Sequence, residues 1–142
     1  MHCDELNFDF DIQEGYTLIE KNDYSKYGID PSTLVIMIKE NSLEPCTLSL
    51  NRDDEFEDED DFLALIDLNG RNMEKLGMKV LSVDETTNNG KKMHVMKSMF
   101  RNLQFISLFF PIRNVLVCCS FEEDESGTKD AALNLISSIK EC

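Results

Sequence analysis

An α+β fold with a central antiparallel sheet of about six to eight strands and two main flanking helices is the class this sequence predicts. Three observations carry the prediction. Between Met78 and Phe121, apolar and β-branched segments follow one another at roughly ten-residue spacing with turn signals between them, the pattern of an antiparallel meander. Within that stretch both alternating sets of positions are mostly apolar, so both sheet faces need cover. Two segments with helical spacing supply it, Phe62 to Leu76 after the first strand group and Lys129 to Lys140 near the C-terminal end. Strands come in runs and do not alternate with helices, which separates α+β from α/β.

In chain order, Leu6, Phe8, Phe10 and Ile12 alternate with Asn7, Asp9 and Asp11, the pattern of a half-buried strand near an edge. Glu14-Gly15 turns the chain into a short extended piece at Tyr16 to Ile19. Glu20 to Ser32, with Gly28 and Asp30-Pro31, reads as a loop with room for one helical turn. Thr33 to Lys39 is a continuous apolar strand, Asn41 to Pro45 a turn, and Cys46 to Asn51 the strand that pairs back as a hairpin. An acidic run from Asp53 to Asp61 leads into the first helix. Phe62, Leu65, Ile66, Asn69, Met73 and Leu76 share one face of that helix, Asp60 or Asp61 is the expected cap, and Gly77 the stop. Gly70 in its middle costs about 1 kcal/mol relative to alanine.

The meander comprises Met78 to Val83, a tight turn at Asn88-Asn89-Gly90, and Lys92 to Phe100. Leu103 to Phe110, ended by Pro111, and Asn114 to Phe121 complete it. Ser107 is the polar exception on the face shared by Leu103, Phe105 and Phe109. Cys118 and Cys119, adjacent in a strand, must point to opposite faces. After an acidic link, Thr128 is the expected N-cap of a helix whose buried stripe is Ala132, Leu135, Ile136 and Ile139. Repeats and linkers are absent, and one domain over residues 1–142 is expected.

The net charge is −14, from 28 acidic and 14 basic residues. A field of that sign repels phosphate backbones and anionic lipid, so neither nucleic acid nor a membrane surface is an expected partner; a basic protein is. The five cysteines are odd in number and lack a CxxC motif, which reads as reduced thiols and a cytoplasmic location. Neither a basic-then-apolar leader nor an apolar run near the ~20 residues of a membrane span is present.

The opening Phe8-Asp9-Phe10-Asp11-Ile12 followed by Gly15-Tyr16, the middle amphipathic helix leading into a meander, and the closing Leu135-Ile136-Ser137-Ser138-Ile139-Lys140 resemble the PsbP-like superfamily. That superfamily includes DcrB-like bacterial proteins and chaperones of type VI secretion effectors. Gln13-Glu14 stands where the family usually has a proline before the glycine. The resemblance implies a central antiparallel sheet covered on both sides and a binding or accessory role without enzyme activity. It brings no position-specific functional residue.

The acidic run is the strongest local feature: Asp53, Asp54, Glu55, Glu57, Asp58, Glu59, Asp60 and Asp61 are candidate partner-binding residues. The plain alternative is a solvated loop and helix start, favoured by the positive end of the helix dipole. Counted from Asp53, a calcium loop fails, because its sixth position is Asp58 and its twelfth Ala64. His2 and His94 lie in no zinc motif, and nothing local supports a pairing of His94 with Cys118 or Cys119. The glycines are scattered and form no phosphate loop. No catalytic residue, metal or cofactor is therefore expected. The function these observations support is a small non-enzymatic binding module, most concretely an immunity protein or antitoxin that neutralises a basic toxin domain. The family resemblance supplies the alternative, a chaperone or adaptor for a secreted effector.

Overall fold

The computed structural model describes residues 1–39, 47–123 and 127–142. The chain opens with two short strands, β1 (His2–Cys3) and β2 (Phe8–Asp9), and continues into β3 (Tyr16–Leu18). A 3-10 turn at Lys21–Asp23 and the one-turn helix α1 (Tyr24–Tyr27) fill the predicted loop. Then follow β4 (Thr33–Lys39), β5 (Thr47–Glu55), α2 (Glu59–Lys75), β6 (Lys79–Asn88), β7 (Lys91–Phe100), β8 (Leu103–Ile112), β9 (Val115–Glu122), α3 (Thr128–Ser138) and β10 (Lys140–Glu141). The predicted turn at Asn41 to Pro45 lies outside the described residues, as does Cys46.

Seven strands make one antiparallel sheet in the order β3-β4-β5-β9-β8-β7-β6. The connection through α2 carries the chain to the far edge at β6, and the meander then steps inward until β9 meets β5. The α+β prediction holds, with α2 and α3 as its two main helices. The opening strand differs from expectation. The strand itself is Phe8–Asp9, with Phe10 exchanging backbone hydrogen bonds with Met1, and it belongs to a separate three-stranded sheet, β1-β2-β10. Leu6, Phe8 and Phe10 are buried as their alternation predicts, but Ile12 is 40 % exposed.

Period-two alternation sends the two side-chain sets of the sheet into different clusters. On one face Ile106, Leu108, Phe110, Val117, Cys119 and Phe121 meet Ala132, Leu135 and Ile136 of α3 and Phe8 from the opening segment. Burial of Leu135, Ile136 and Ile139 contributes about 1.5–3 kcal/mol each to holding α3 down. On the other face Met96, Phe109 and Leu116 meet Phe62 and Ile66 of α2. Gly70 is buried here, and a Cβ at that position would stand 3.2 Å from the Met96 Cε, so the mid-helix glycine admits the methionine beneath it. Cys118 and Cys119 do face opposite clusters.

Other corrections have local causes. Strand β8 runs through Pro111 to Ile112. Pro111 pairs with Leu116 of β9 but lies beyond the last pair of the β7 ladder, His94 with Phe109, so its missing N–H interrupts nothing there. Asp58, not Asp60 or Asp61, caps α2, its Oδ1 accepting from the Asp61 N–H at 2.9 Å. Gly127 with φ +83° takes the N-cap of α3, and Thr128 is the first, buried residue of the helix. Leu76, assigned to the apolar stripe, is 77 % exposed.

Two turns tie the layers together. Between β6 and β7, Asn89 (φ 50°) and Gly90 (φ 80°) both take positive φ, as a type I′ turn requires. That hairpin end reaches α3. The Asn88 Nδ2 donates to the Ser137 Oγ at 2.9 Å, and the Lys91 Nζ donates to the carbonyls of Ile136, at 2.9 Å, and Ile139. The Ile136 carbonyl, in the last turn of α3, also accepts the Ile139 N–H at 3.2 Å, and the cation suits the negative end of the dipole. Lys91→Ala is expected to lower the unfolding free energy by about 1.5–3 kcal/mol, the range for hydrogen bonds to charged groups, measured by urea denaturation. Between β8 and β9, the Arg113 guanidinium donates to the carbonyls of Leu6 and Asn7, both at 3.1 Å, and fastens the small sheet to the large one.

Among the described residues no helix is long and apolar enough to cross a membrane.

Candidate protein-docking site

The acidic run is not one loop. Asp53, Asp54 and Glu55 are the end of β5, which extends beyond the predicted Asn51 because β9 offers ladder partners: Arg52 pairs with Val117 and Glu55 with Val115. Phe56, Glu57 and Asp58 turn the corner, the Phe56 N–H donating to the Asn114 carbonyl at 2.9 Å. Glu59, Asp60 and Asp61 form the first turn of α2, where the helix dipole favours them.

This division assigns the eight carboxylates different work. Asp53 accepts from the Asn69 Nδ2 at 2.8 Å and so ties α2 to β5. Asn69 is therefore a polar bridge and not part of the apolar stripe. Asp58 caps the helix, and the Asp61 carboxylate accepts from the Glu57 N–H at 3.2 Å, closing the corner from the other side. Glu55 lies 3.5 Å from Arg52 and Glu59 3.4 Å from Lys92, both exposed pairs worth little to stability. The carboxylates of Asp54, Glu57 and Asp60 make no hydrogen bond or ion pair among the described residues. Three of the eight thus hold the fold, and Asp54, Glu55, Glu57, Glu59 and Asp60 face solvent.

A pocket of about 250 Å³ is set into this acidic corner. Phe56 and Phe62, edge to face with centroids 5.0 Å apart, form its aromatic wall, and Pro111 and His94 come in from the sheet. Asp58, Glu59 and Lys92 complete the lining. Lys92 is shared between Glu59 and Glu85, the latter at 3.1 Å, and its ammonium is held more strongly protonated than usual by those two hydrogen bonds. His94 is only 8 % exposed, with its ring 5.5 Å from that of Phe62. Its Nε2 stands 3.8 Å from Glu85, too far for a hydrogen bond, and its Nδ1 has no partner among the described residues. Lys92, His94 and Pro111 were invisible as site residues in the sequence. They stand 31 or more positions beyond Asp61, and only the β6-β7-β8 pairing brings them under the α2 N-terminus.

The sheet register separates Cys118 from His94. Cys118 pairs with Phe109, and Phe109 with His94, which places the two backbones two strand spacings, roughly 10 Å, apart with a phenylalanine between them. Burial pushes the Cys118 thiol up to about 11, and Cys119 higher still. At pH 8 Cys118 is therefore held as the unreactive thiol. Of the described cysteines, Cys142 alone is exposed. Iodoacetamide at pH 8 is accordingly expected to alkylate Cys142 in the native chain and leave Cys3, Cys118 and Cys119 unmodified, as read by peptide mass spectrometry. Rapid labelling of Cys118 without denaturant is the contrary result.

The expectation that both sheet faces are fully covered needs correction. Helix α2 covers only part of its face, because its buried anchors Phe62, Ile66 and Gly70 lie in the first two-thirds of the helix. Beyond them an open groove of about 440 Å³ runs between the helix end and the sheet, lined by Met73, Leu76, Met78, Phe100 and Phe105. Ser98, also in its lining, has a buried Oγ without a partner among the described residues.

No protein-family model matches this chain, and no curated protein matches it in sequence. Solved structures do. The solution structure of the cyanobacterial PsbP (CyanoP) of Synechocystis sp. PCC 6803 superposes with a TM-score of 0.65 at 11% identity, over 100% of this chain and 91% of that one. A crystal structure from Bacteroides thetaiotaomicron VPI-5482 superposes with a TM-score of 0.58 at 11% identity, over 95% of this chain and 45% of that one. At such identity the likeness establishes the fold, which is PsbP-like, as the sequence pattern suggested.

Proposed function

We propose that the chain is a non-enzymatic protein-binding module that docks a basic protein on the acidic corner between β5 and α2. The most concrete form is an immunity protein or antitoxin covering a basic toxin domain in the cytosol. One observation carries the reading: an apolar pocket with aromatic walls, edged by Asp58 and Glu59, opens in an acidic corner whose Asp54, Glu57 and Asp60 carboxylates are unpaired among the described residues. Interfaces concentrate binding energy in a central pocket that takes an anchoring side chain, and a charged rim sets orientation and association rate. A lysine or arginine stem fits both parts, its methylenes against Phe56 and Phe62 and its cation beside Asp58 and Glu59. The separation of His94 from Cys118 supports a binding role over nucleophilic chemistry.

The test is to recover the partner by affinity purification from the source cells, express it alone and with this chain, and compare growth. Growth arrest by the partner alone, relieved by the chain and not by a chain neutralised at Asp54, Glu55, Glu57, Glu59 and Asp60, is the expected result. A neutral or acidic partner, or protection that survives neutralisation, counts against it.

The open groove favours a second reading, a chaperone or adaptor holding an apolar helix of a secreted effector. Under that reading Leu76→Glu with Phe100→Glu abolishes binding, whereas neutralising the acidic corner leaves it intact.

A further inference from the structure

Away from the docking corner, the small sheet brings both ends of the described chain together. In β1-β2-β10, His2 stands opposite Asp9, and Lys140 opposes Asp9 from the other side. Alternate residues of a strand share a face, so Cys142, two beyond Lys140, falls on the same face as Asp9 and His2. The other face carries Cys3 and Phe8 into the core. The outward face therefore gathers an imidazole, a carboxylate and a thiol from positions 2, 9 and 142, all exposed. The Nδ1 of His2 is 2.7 Å from the Oδ1 of Asp9, and the Cys142 Sγ is 4.0 Å from the same Nδ1. All three donor atoms lie within 4.8 Å of one another.

We infer that His2, Asp9 and Cys142 form a three-ligand site for a thiophilic divalent cation of the Zn²⁺ class. The donor set selects the ion. Calcium and magnesium take oxygen ligands, whereas one sulfur, one nitrogen and one carboxylate oxygen suit borderline-soft zinc. The dimensions agree. Zinc bond lengths in tetrahedral geometry put neighbouring donors roughly 3.3–3.6 Å apart. The observed 2.7 Å and 4.0 Å bracket that range and no pair of donors exceeds 4.8 Å, so side-chain shifts of about 1 Å close the site. A neighbour supports the ring orientation: the Asp4 Oδ1 lies 3.5 Å from the His2 Nε2. The 2.7 Å contact puts an Nδ1–H on the Asp9 carboxylate; metal binding displaces that proton, and the ring then keeps its proton on Nε2 beside Asp4, the outer-shell arrangement common to zinc-bound histidines. Three protein donors leave the fourth tetrahedral position to water. No local spacing could announce this site, since its members are scattered over the whole sequence and meet only through strand pairing.

Titrating the tag-free, reduced full chain with Co²⁺ tests the site, because a cobalt–thiolate bond gives a near-ultraviolet charge-transfer band; Zn²⁺ then displaces the cobalt. The expected result is a saturable one-to-one signal that Cys142→Ser abolishes. His2→Ala and Asp9→Asn should each weaken binding at least about tenfold. Cys46→Ser, at a residue outside the described part of the chain, should leave the signal unchanged. Thermal unfolding without metal, unchanged in the variants, shows that they fold. A linear titration, a thiolate band that survives Cys142→Ser, or affinity indifferent to both His2→Ala and Asp9→Asn overturns the assignment.

Discussion

Replacing Phe109 by alanine is expected to lower the unfolding free energy by about 3–5 kcal/mol, the range for deleting a fully buried phenylalanine. Domains of this kind hold about 5–15 kcal/mol in total, so roughly a fifth or more of the stability rests on this ring. Phe109 is 0 % exposed at the centre of β8, between His94 on β7 and Cys118 on β9. Its face is the thinner of the two. Five buried residues make the cluster under α2, and Phe109 is one of them. Truncation leaves a cavity that Phe62 and Ile66 cannot fill without moving the helix. Two readouts separate this outcome from general weakening. The urea midpoint falls, and amide exchange accelerates more in α2 than in α3, because α3 rests on the opposite cluster. A loss below about 1.5 kcal/mol, or equal acceleration in both helices, contradicts the packing described. The same substitution is expected to loosen the docking pocket, since Phe62 packs in the Phe109 cluster and His94 is its cross-strand neighbour.

What could be read from the sequence follows from how local each signal is. Strand β4 is found at the predicted Thr33–Lys39 because a continuous apolar run of strand length needs no distant partner to declare itself. The Asn89-Gly90 turn is equally local, its positive φ values being a property of two residues. The reach of β5 through Asp53, Asp54 and Glu55 is not local. Three carboxylates carry poor strand propensity, and the ladder that overrides it comes from Val115 to Cys118. The opening alternation announced burial correctly at Leu6, Phe8 and Phe10, yet could not say that the pairing partner is β10 at the far end of the chain. The same holds for the docking corner. Its charge was plain in the run of acids, while the pocket that gives the charge a centre needed His94 and Pro111 from the meander.

That pocket and its rim set the last expectation. A chain carrying Asp54→Asn, Glu55→Gln, Glu57→Gln, Glu59→Gln and Asp60→Asn should associate with the basic partner proposed above about 10- to 100-fold more slowly at low salt. The five are chosen because none caps a helix and the pairs they make, Glu55 with Arg52 and Glu59 with Lys92, are exposed. Asp53, Asp58 and Asp61 stay, since removing the Asp58 cap alone costs about 1 kcal/mol of helix stability. Relief of like-charge repulsion offsets the exposed pairs lost with Arg52 and Lys92, so stability is expected to move by less than about 0.5 kcal/mol. Association is where steering acts, and the rates of variant and native chain should converge as added salt shortens the Debye length to about 3 Å at 1 M. Dissociation answers to the anchor instead. Phe56→Ala is expected to speed it about 30-fold, the equivalent of a 2 kcal/mol hot spot, while leaving association near its native value. Stopped-flow association and surface-immobilised dissociation measure the two separately. If neutralisation leaves the association rate unchanged and insensitive to salt while Leu76→Glu abolishes binding, the partner sits in the groove beyond α2 and the acidic corner is only solvated surface.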